Sequence, residues 1–198
     1  MENYRNLISK VLGIKCISSP ELICEKLTIP KFDNTIFVHM WPGGYKSHYK
    51  EWNKESWLNL FKKIIENGYV ILLSGTGENI NCNTLFVTQC EKNKVINIAG
   101  QYSLIELASI MNQSHAVVSV NTGIAHMSAA LGKPTVCLNG PTSPNRWRPL
   151  GDHVKNINST KKGAGFLNLG FEYDCGPVDT MKYISVEDVY TNLMGLIH

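Results

Sequence analysis

The sequence predicts an α/β fold, a doubly wound and mostly parallel Rossmann-like sheet. Two observations carry that prediction. From residue 35 onward, short β-branched or apolar runs alternate with stretches of helical spacing, the pattern of a sheet wound by crossover helices. Within the alternation, Val117-Val-Ser-Val-Asn-Thr-Gly-Ile-Ala-His126 passes from an apolar run through Asn-Thr-Gly directly into a small-residue helix, and Lys133-Pro then launches another apolar run. That unit is strand, turn, helix, strand, with a bare helix N-terminus at the turn.

Residues 1–34 look helical and partly polar and end in Thr28-Ile-Pro-Lys-Phe-Asp-Asn34, where Pro30 and the Asp-Asn pair mark a connector. They form an extension or linker, and 35–198 is the domain. The first strand is expected over 35–40. Trp57, Leu58, Phe61, Ile64 and Ile65 give a helix over 54–67, stopped by Gly68. A second strand follows over 69–74, a helix over 79–91 and a short third strand over 95–98. Ser103-Leu-Ile-Glu106 is a capping box; it opens a helix with Leu104, Leu107, Ala108 and Met111 on one face. Strand four covers 116–120, its helix 123–131, strand five 135–138 and strand six 154–157. Residues 159–181 are rich in Gly and polar side chains and read as a long loop, a length that tends to be functional or mobile. Ser185-Val-Glu-Asp188 caps a last helix with Val186, Val189, Leu193 and Ile197 inward.

Composition narrows the function classes. A chain of 198 residues suits one domain with a proper core. A net charge of +3 gives no reason to expect a nucleic-acid partner. No run of 18 apolar residues predicts a membrane span, and Met1-Glu-Asn-Tyr-Arg lacks a signal-peptide core, so a cytoplasmic location is the expectation. The six cysteines show no Cys-x-x-Cys and no zinc spacing; Cys137 fits a small buried thiol, and the Cys16/Cys24 and Cys82/Cys90 spacings of eight put each pair near one helix face. No metal site is expected.

With strand order 3-2-1-4-5-6, the topological switch point falls between strands one and four, and ligands bind where the loops after those strands meet. Those loops are Trp41-Pro-Gly-Gly-Tyr-Lys-Ser-His-Tyr-Lys-Glu-Trp52 and Asn121-Thr-Gly123. Gly43 and Gly44 can bring backbone N–H groups close to phosphate oxygens, and Lys46 and Lys50 add positive charge. Thr122 places a hydroxyl at the helix start, where it serves either a ligand or its own helix as an N-cap. Gly123 removes bulk at the first turn, either for a ligand or for close helix–sheet packing. His126 lies one turn into a helix N-terminus that disfavours a cation, which points to a partner such as phosphate. Ser74-Gly-Thr-Gly-Glu78 is no dinucleotide fingerprint, since Ile80 stands at the third glycine position. Glu78 nevertheless falls where a carboxylate takes a ribose hydroxyl pair, or is a solvated turn residue. Arg146 pairs with a donor phosphate or pins its loop; Trp41 stacks on a base or fills the crevice wall. Walker A, Gly-x-Ser-x-Gly and His-Glu-x-x-His motifs are absent. The residues alone describe a nucleotide-diphosphate binder using basic side chains and a helix end.

The ordered set Trp41 to Trp52, Gly75-Thr-Gly-Glu78, Asn-Thr-Gly-Ile-Ala-His126, Ala-Ala-Leu-Gly-Lys-Pro134 and Gly140-Pro-Thr-Ser-Pro-Asn-Arg-Trp147 resembles glycosyltransferase family 9, the bacterial heptosyltransferases and relatives, from about residue 35 to 190. The resemblance implies one half of a GT-B glycosyltransferase, the C-terminal nucleotide-sugar-binding domain. It implies inverting transfer of a sugar from a nucleotide-diphospho-sugar, ADP-heptose first, to the hydroxyl of a glycan, lipid-linked or protein acceptor, in lipopolysaccharide or related glycan synthesis, peripheral to the inner membrane. By motif, Lys50 resembles the diphosphate-binding lysine and Glu78 the ribose-binding carboxylate. Thr122, Gly123 and His126 resemble residues around the diphosphate, and no metal or cofactor is implied. Two departures stand out. Asn121 replaces the family's usual Asp, keeping an acceptor and losing the charge. The acceptor-binding half, which supplies the general base, has no counterpart in 1–34, so no catalytic residue is assigned. The competing expectations are a non-catalytic nucleotide-sugar-binding module that works with a partner domain or subunit, and an unrelated Rossmann oxidoreductase.

Overall fold

The computed structural model describes residues 10–11, 21–23, 32 and 34–198. Its sheet has six strands: β1 Thr35–His39, β2 Val70–Ser74, β3 Val95–Asn97, β4 Ala116–Val120, β5 Thr135–Asn139 and β6 Val154–Asn158. The order is β3-β2-β1-β4-β5-β6, the order expected from the sequence. Every pairing is parallel, with β1 between β2 and β4. The central strands are buried on both faces, as their unbroken apolar runs require.

The helices are α1 Lys54–Glu66, α2 Ile80–Val87, α3 Leu104–Gln113, α4 Gly123–Ala130, the short α5 Pro144–Trp147 and α6 Val186–Ile197. Asn53 caps α1 by accepting from the Ser56 amide at 2.8 Å, a contact worth about 1 kcal/mol. Trp57, Leu60, Phe61 and Ile64 of α1 are fully buried against β1 and β2, together with Val189 and Leu193 of α6. Each such side chain contributes roughly 1.5–3 kcal/mol on burial. The opposite face packs α3 and α4 on Phe37, Leu72 and Val117. Ser103 with Glu106, and Ser185 with Asp188, form the expected helix starts.

Two expectations change, and two more meet detail or fall outside the described residues. Leu104 is 66% exposed instead of inward, because it overhangs the sheet's C-terminal edge; Ala108, Ser109, Ile110 and Met111 form the buried face of α3. The helix after β2 is shorter than 79–91: a 3-10 turn at Gly77–Asn79 leads into α2, which ends at Val87. Cys82 and Cys90 therefore do not share a helix face. The 159–181 loop is held in place by the Ser143 amide donating to the Leu167 carbonyl and the Leu167 amide to the Pro141 carbonyl, both 2.9 Å. It contains 3-10 turns at Tyr173–Cys175 and Thr180–Tyr183. The 1–34 extension and Cys16/Cys24 fall largely or wholly outside the described residues, although the Leu22 amide donates to the Ala130 carbonyl at 2.7 Å, tying residue 22 to the end of α4.

Candidate nucleotide-sugar site

β1 and β4 are neighbours whose following segments leave in opposite directions, so a crevice opens between them. After β1 the chain doubles back through Gly44 at φ +90° and Lys46 at φ 48° into a 3-10 turn, Ser47–Lys50. After β4, Thr122 is extended (φ −143°, ψ 176°) and α4 begins at Gly123 with no side chain capping it. The Ala125 and His126 amides reach the Thr122 carbonyl at 3.1 and 3.4 Å. The amides of the first turn before them have no intrahelical acceptor, as at any helix start. The Thr122 hydroxyl lies 3.4 Å from the Ser119 hydroxyl and does not cap its own helix. A Cβ placed on Gly123 would meet nothing within 4 Å. Helix–sheet packing therefore does not demand this glycine, and the space in front of it is open.

Two cavities meet at this helix start. The outer crevice, of about 530 Å³, has Glu78 and Thr76 on one rim, Leu104, Leu107 and Met127 on the other, and His39 at the end of β1. The inner pocket, of about 320 Å³, is bordered by Lys50, Asn121, His126, Thr142, Trp147 and Tyr173. Both are lined by Thr122 and Gly123. A larger cavity of about 760 Å³ lies beside Trp41, between the start of α1, the first turns of α2 and the chain around Asp179.

Charge distinguishes the inner pocket. Lys50 is half-buried, and that burial alone holds its ammonium below the usual lysine range. Its Nζ donates to the Gly43 carbonyl at 3.0 Å, and no carboxylate among the described residues pairs with it. Lys46, four residues earlier in the same loop, is different. Its Nζ is 3.1 Å from Asp174 Oδ1 and sits among the rings of Tyr45, Tyr49 and Tyr173, so its cation is already compensated. Among the described residues no Asp or Glu lines the inner pocket. Burial pushes the His126 imidazole below its ordinary value, a hydrogen bond to the Trp147 backbone opposing this in part, so it is neutral at pH 7. His39 is pushed down to about 4 by burial, with a hydrogen bond to the Trp41 backbone acting the other way; its Nδ1 is 3.0 Å from the Ser74 hydroxyl.

The residues singled out from the sequence largely converge. Gly43, Glu78, Thr122, Gly123 and Trp41 line the crevice; Lys50, Asn121 and His126 line the pocket. Gly44 shapes the loop by its positive φ without lining either cavity. Trp41 is fixed as a wall: its Nε1 donates to Asn83 Oδ1 at 2.6 Å and its ring meets Phe86 edge-on. Arg146 stands outside both cavities, exposed, with its guanidinium 5.9 Å from the Trp147 ring centre. His39, Leu104, Leu107, Met127, Thr142 and Tyr173 line the cavities without having been singled out as site residues. Their positions at the C-terminal ends of strands, on the loops beyond, or in the first turns of the helices that follow were the available signal. Among the described residues no three His, Cys, Asp or Glu side chains cluster for a metal, and no helix is long and apolar enough to cross a membrane.

Residues 2–166 match the model of glycosyltransferase family 9 (heptosyltransferase). The chain belongs to glycosyltransferase family 9. It is 32% identical over 134 residues to lipooligosaccharide heptosyltransferase 2 of Haemophilus ducreyi, covering 64% of this chain and 37% of that protein. It is 30% identical over 166 residues to lipopolysaccharide heptosyltransferase 1 of Salmonella typhimurium, covering 79% and 48%. This family 9 chain thus spans less than half the length of these curated relatives. The E. coli heptosyltransferase WaaC, solved with ADP, superposes with a TM-score of 0.71 at 19% identity over 98% of this chain and 56% of that one. That likeness establishes the fold: the family 9 chain has the Rossmann-like architecture of one half of a GT-B glycosyltransferase.

Proposed function

We propose that this chain is the donor-binding half of a heptosyltransferase-type enzyme and holds a nucleotide-diphospho-sugar, ADP-heptose first among candidates, across the start of α4. One observation carries the reading: two cavities of different character meet at an uncapped helix N-terminus beside a half-buried lysine that has no counter-ion among the described residues. The outer crevice takes the nucleoside, its base against Leu104, Leu107 and Met127 and its ribose hydroxyls at Glu78. The diphosphate sits on the amides that open α4, with Gly43 close by and Lys50 swinging from the Gly43 carbonyl to a phosphate oxygen. The sugar occupies the inner pocket.

In the transfer, an acceptor hydroxyl oxygen bonds to the anomeric carbon as the bond from that carbon to the diphosphate breaks, with inversion. The leaving diphosphate gains charge. Lys50, the first turn of α4 and the neutral His126 stabilise that charge without reorganising. The proton of the acceptor hydroxyl needs a base other than a carboxylate of the inner pocket, since among the described residues none lines it. The same observation favours a second reading, in which the chain holds the donor and a partner domain or subunit completes catalysis. The acceptor is a glycan or lipid-linked glycan of the lipopolysaccharide type.

A thermal-shift screen of ADP, UDP and GDP tests donor binding, since a ligand bound to the folded state raises the apparent Tm. ADP is expected to give the largest rise. No rise with any of the three contradicts the proposal. Turnover measured on this chain alone and with added partner polypeptide separates the two readings.

A further inference from the structure

Behind the inner pocket, three asparagines on neighbouring strands, Asn121 just past β4, Asn139 at the end of β5 and Asn156 within β6, form a directional chain of amides. Asn121 Nδ2 donates to Asn139 Oδ1, Asn139 Nδ2 to Asn156 Oδ1 at 3.3 Å, and Asn156 Nδ2 to the Pro149 carbonyl at 3.3 Å. Asn121 Nδ2 also donates to Thr142 Oγ1 at 3.3 Å. The last acceptor fixes the polarity of the whole row. A backbone carbonyl can only accept, so Asn156 must turn its NH2 toward Pro149 and its oxygen toward Asn139. Asn139, 1% exposed, must then turn its NH2 toward Asn156 and its oxygen toward Asn121. Flipping any one amide sets oxygen against oxygen or NH2 against NH2.

At the pocket end, both protons of Asn121 Nδ2 are therefore spent inside the protein. What Asn121 has left for a ligand is Oδ1, which no donor among the described residues occupies, and Asn121 lines the pocket. We infer that the Asn121–Asn139–Asn156 row holds Asn121 as a fixed, uncharged acceptor that selects a neutral sugar by one of its hydroxyls, so that Asn139 and Asn156 act as positioning residues for a specificity contact. The contact deepens the donor-site proposal and rests on it. A sugar hydroxyl donates to Oδ1; a sugar presenting a carboxylate or carbonyl at that point meets oxygen with oxygen. Because the acceptor is uncharged, it does not repel the neighbouring diphosphate. An aspartate here could not donate to Asn139. It would force the row to reverse and set Asn156 Oδ1 against the Pro149 carbonyl.

Calorimetry with ADP and ADP-heptose tests the inference on this chain, reading the ratio of the two affinities. ADP reports the nucleotide and diphosphate contacts and does not reach Asn121; ADP-heptose reaches it. Asn121→Ala is expected to weaken ADP-heptose about 3- to 10-fold, the scale of one neutral hydrogen bond, while ADP changes less than about twofold. Asn156→Ala, two steps along the row and away from the pocket, is expected to move the ratio in the same direction by a smaller factor, with ADP affinity as evidence that the variant is folded. An unchanged ratio in Asn121→Ala overturns the inference while leaving the donor site standing. An unchanged ratio in Asn156→Ala, with Asn121→Ala effective, removes the positioning role. Wild-type protein that binds neither ligand removes the donor-site proposal and this inference together.

Discussion

Two hollows of the molecule contrast sharply. The 760 Å³ cavity beside Trp41 is bigger than the 530 Å³ crevice, yet it lies off the switch point and has Trp52 and Trp57, both core residues, in its walls. Its two indole donors and its helix start are already engaged: the Trp41 Nε1–H goes to Asn83, the Trp52 Nε1–H to the Ile184 carbonyl at 3.1 Å, and the start of α1 is capped by Asn53. The crevice and its inner pocket keep an uncapped helix start, a half-buried cation with no counter-ion among the described residues and empty space in front of a glycine. On the proposed reading, uncompensated polarity and not volume marks the diphosphate site. The same lesson holds within one loop, where Lys46 is neutralised by Asp174 and Lys50 is not.

The largest expected effect comes from that lysine pair. Lys50→Ala should weaken ADP about 10- to 150-fold, the range for a lost hydrogen bond to a charged group. Lys46→Ala should change it by less than about threefold, since an exposed ion pair is worth little. Equal losses by calorimetry would erase the contrast. Gly123→Ala comes next. The added methyl meets no protein atom, so Tm should hold or rise slightly, by the equivalent of about 0.4–1 kcal/mol, while ADP affinity falls about tenfold as the phosphate is pushed off an amide. A joint loss of Tm and affinity would restore the packing explanation for this glycine.

Acidification should act on the crevice through its buried imidazoles. His39 titrates near 6.5 unfolded and at about 4 folded. The unfolded chain thus binds the proton more readily, and the stability His39 contributes is full above pH 6.5 and is lost as pH falls from there toward 4. The loss is of order 3 kcal/mol. His39→Gln should flatten the denaturation midpoint between pH 6.5 and 4; an unchanged profile would mean that His39 is not held neutral. The smallest effect is at the larger cavity. Leu85→Trp, which fills part of it from an exposed position, should leave ADP affinity within about twofold.

Strand order and the meeting of the two loops were legible because buried parallel strands write themselves as continuous apolar runs, and a right-handed crossover allows few orders for them. Lys50, Thr122 and Gly123 followed from their places on those loops. The parts that were not legible depend on partners distant in sequence. Nothing local distinguishes Lys46 from Lys50; Asp174, 128 residues away, does. Leu104 fits the apolar face of its helix by spacing and still overhangs the crevice, because the helix projects beyond the sheet edge. Asn121 reads as a lost charge in the sequence, whereas its meaning lies in Asn139 and Asn156 on two other strands.

The central claim concerns where a diphosphate rests, and a crystal structure with ADP tests it most directly. The account predicts phosphate oxygens within about 3.2 Å of the amides that open α4, with Lys50 Nζ moved from the Gly43 carbonyl onto one of them. ADP bound in the larger cavity beside Trp41, or Lys50 still on Gly43 with the helix start bare, would contradict it.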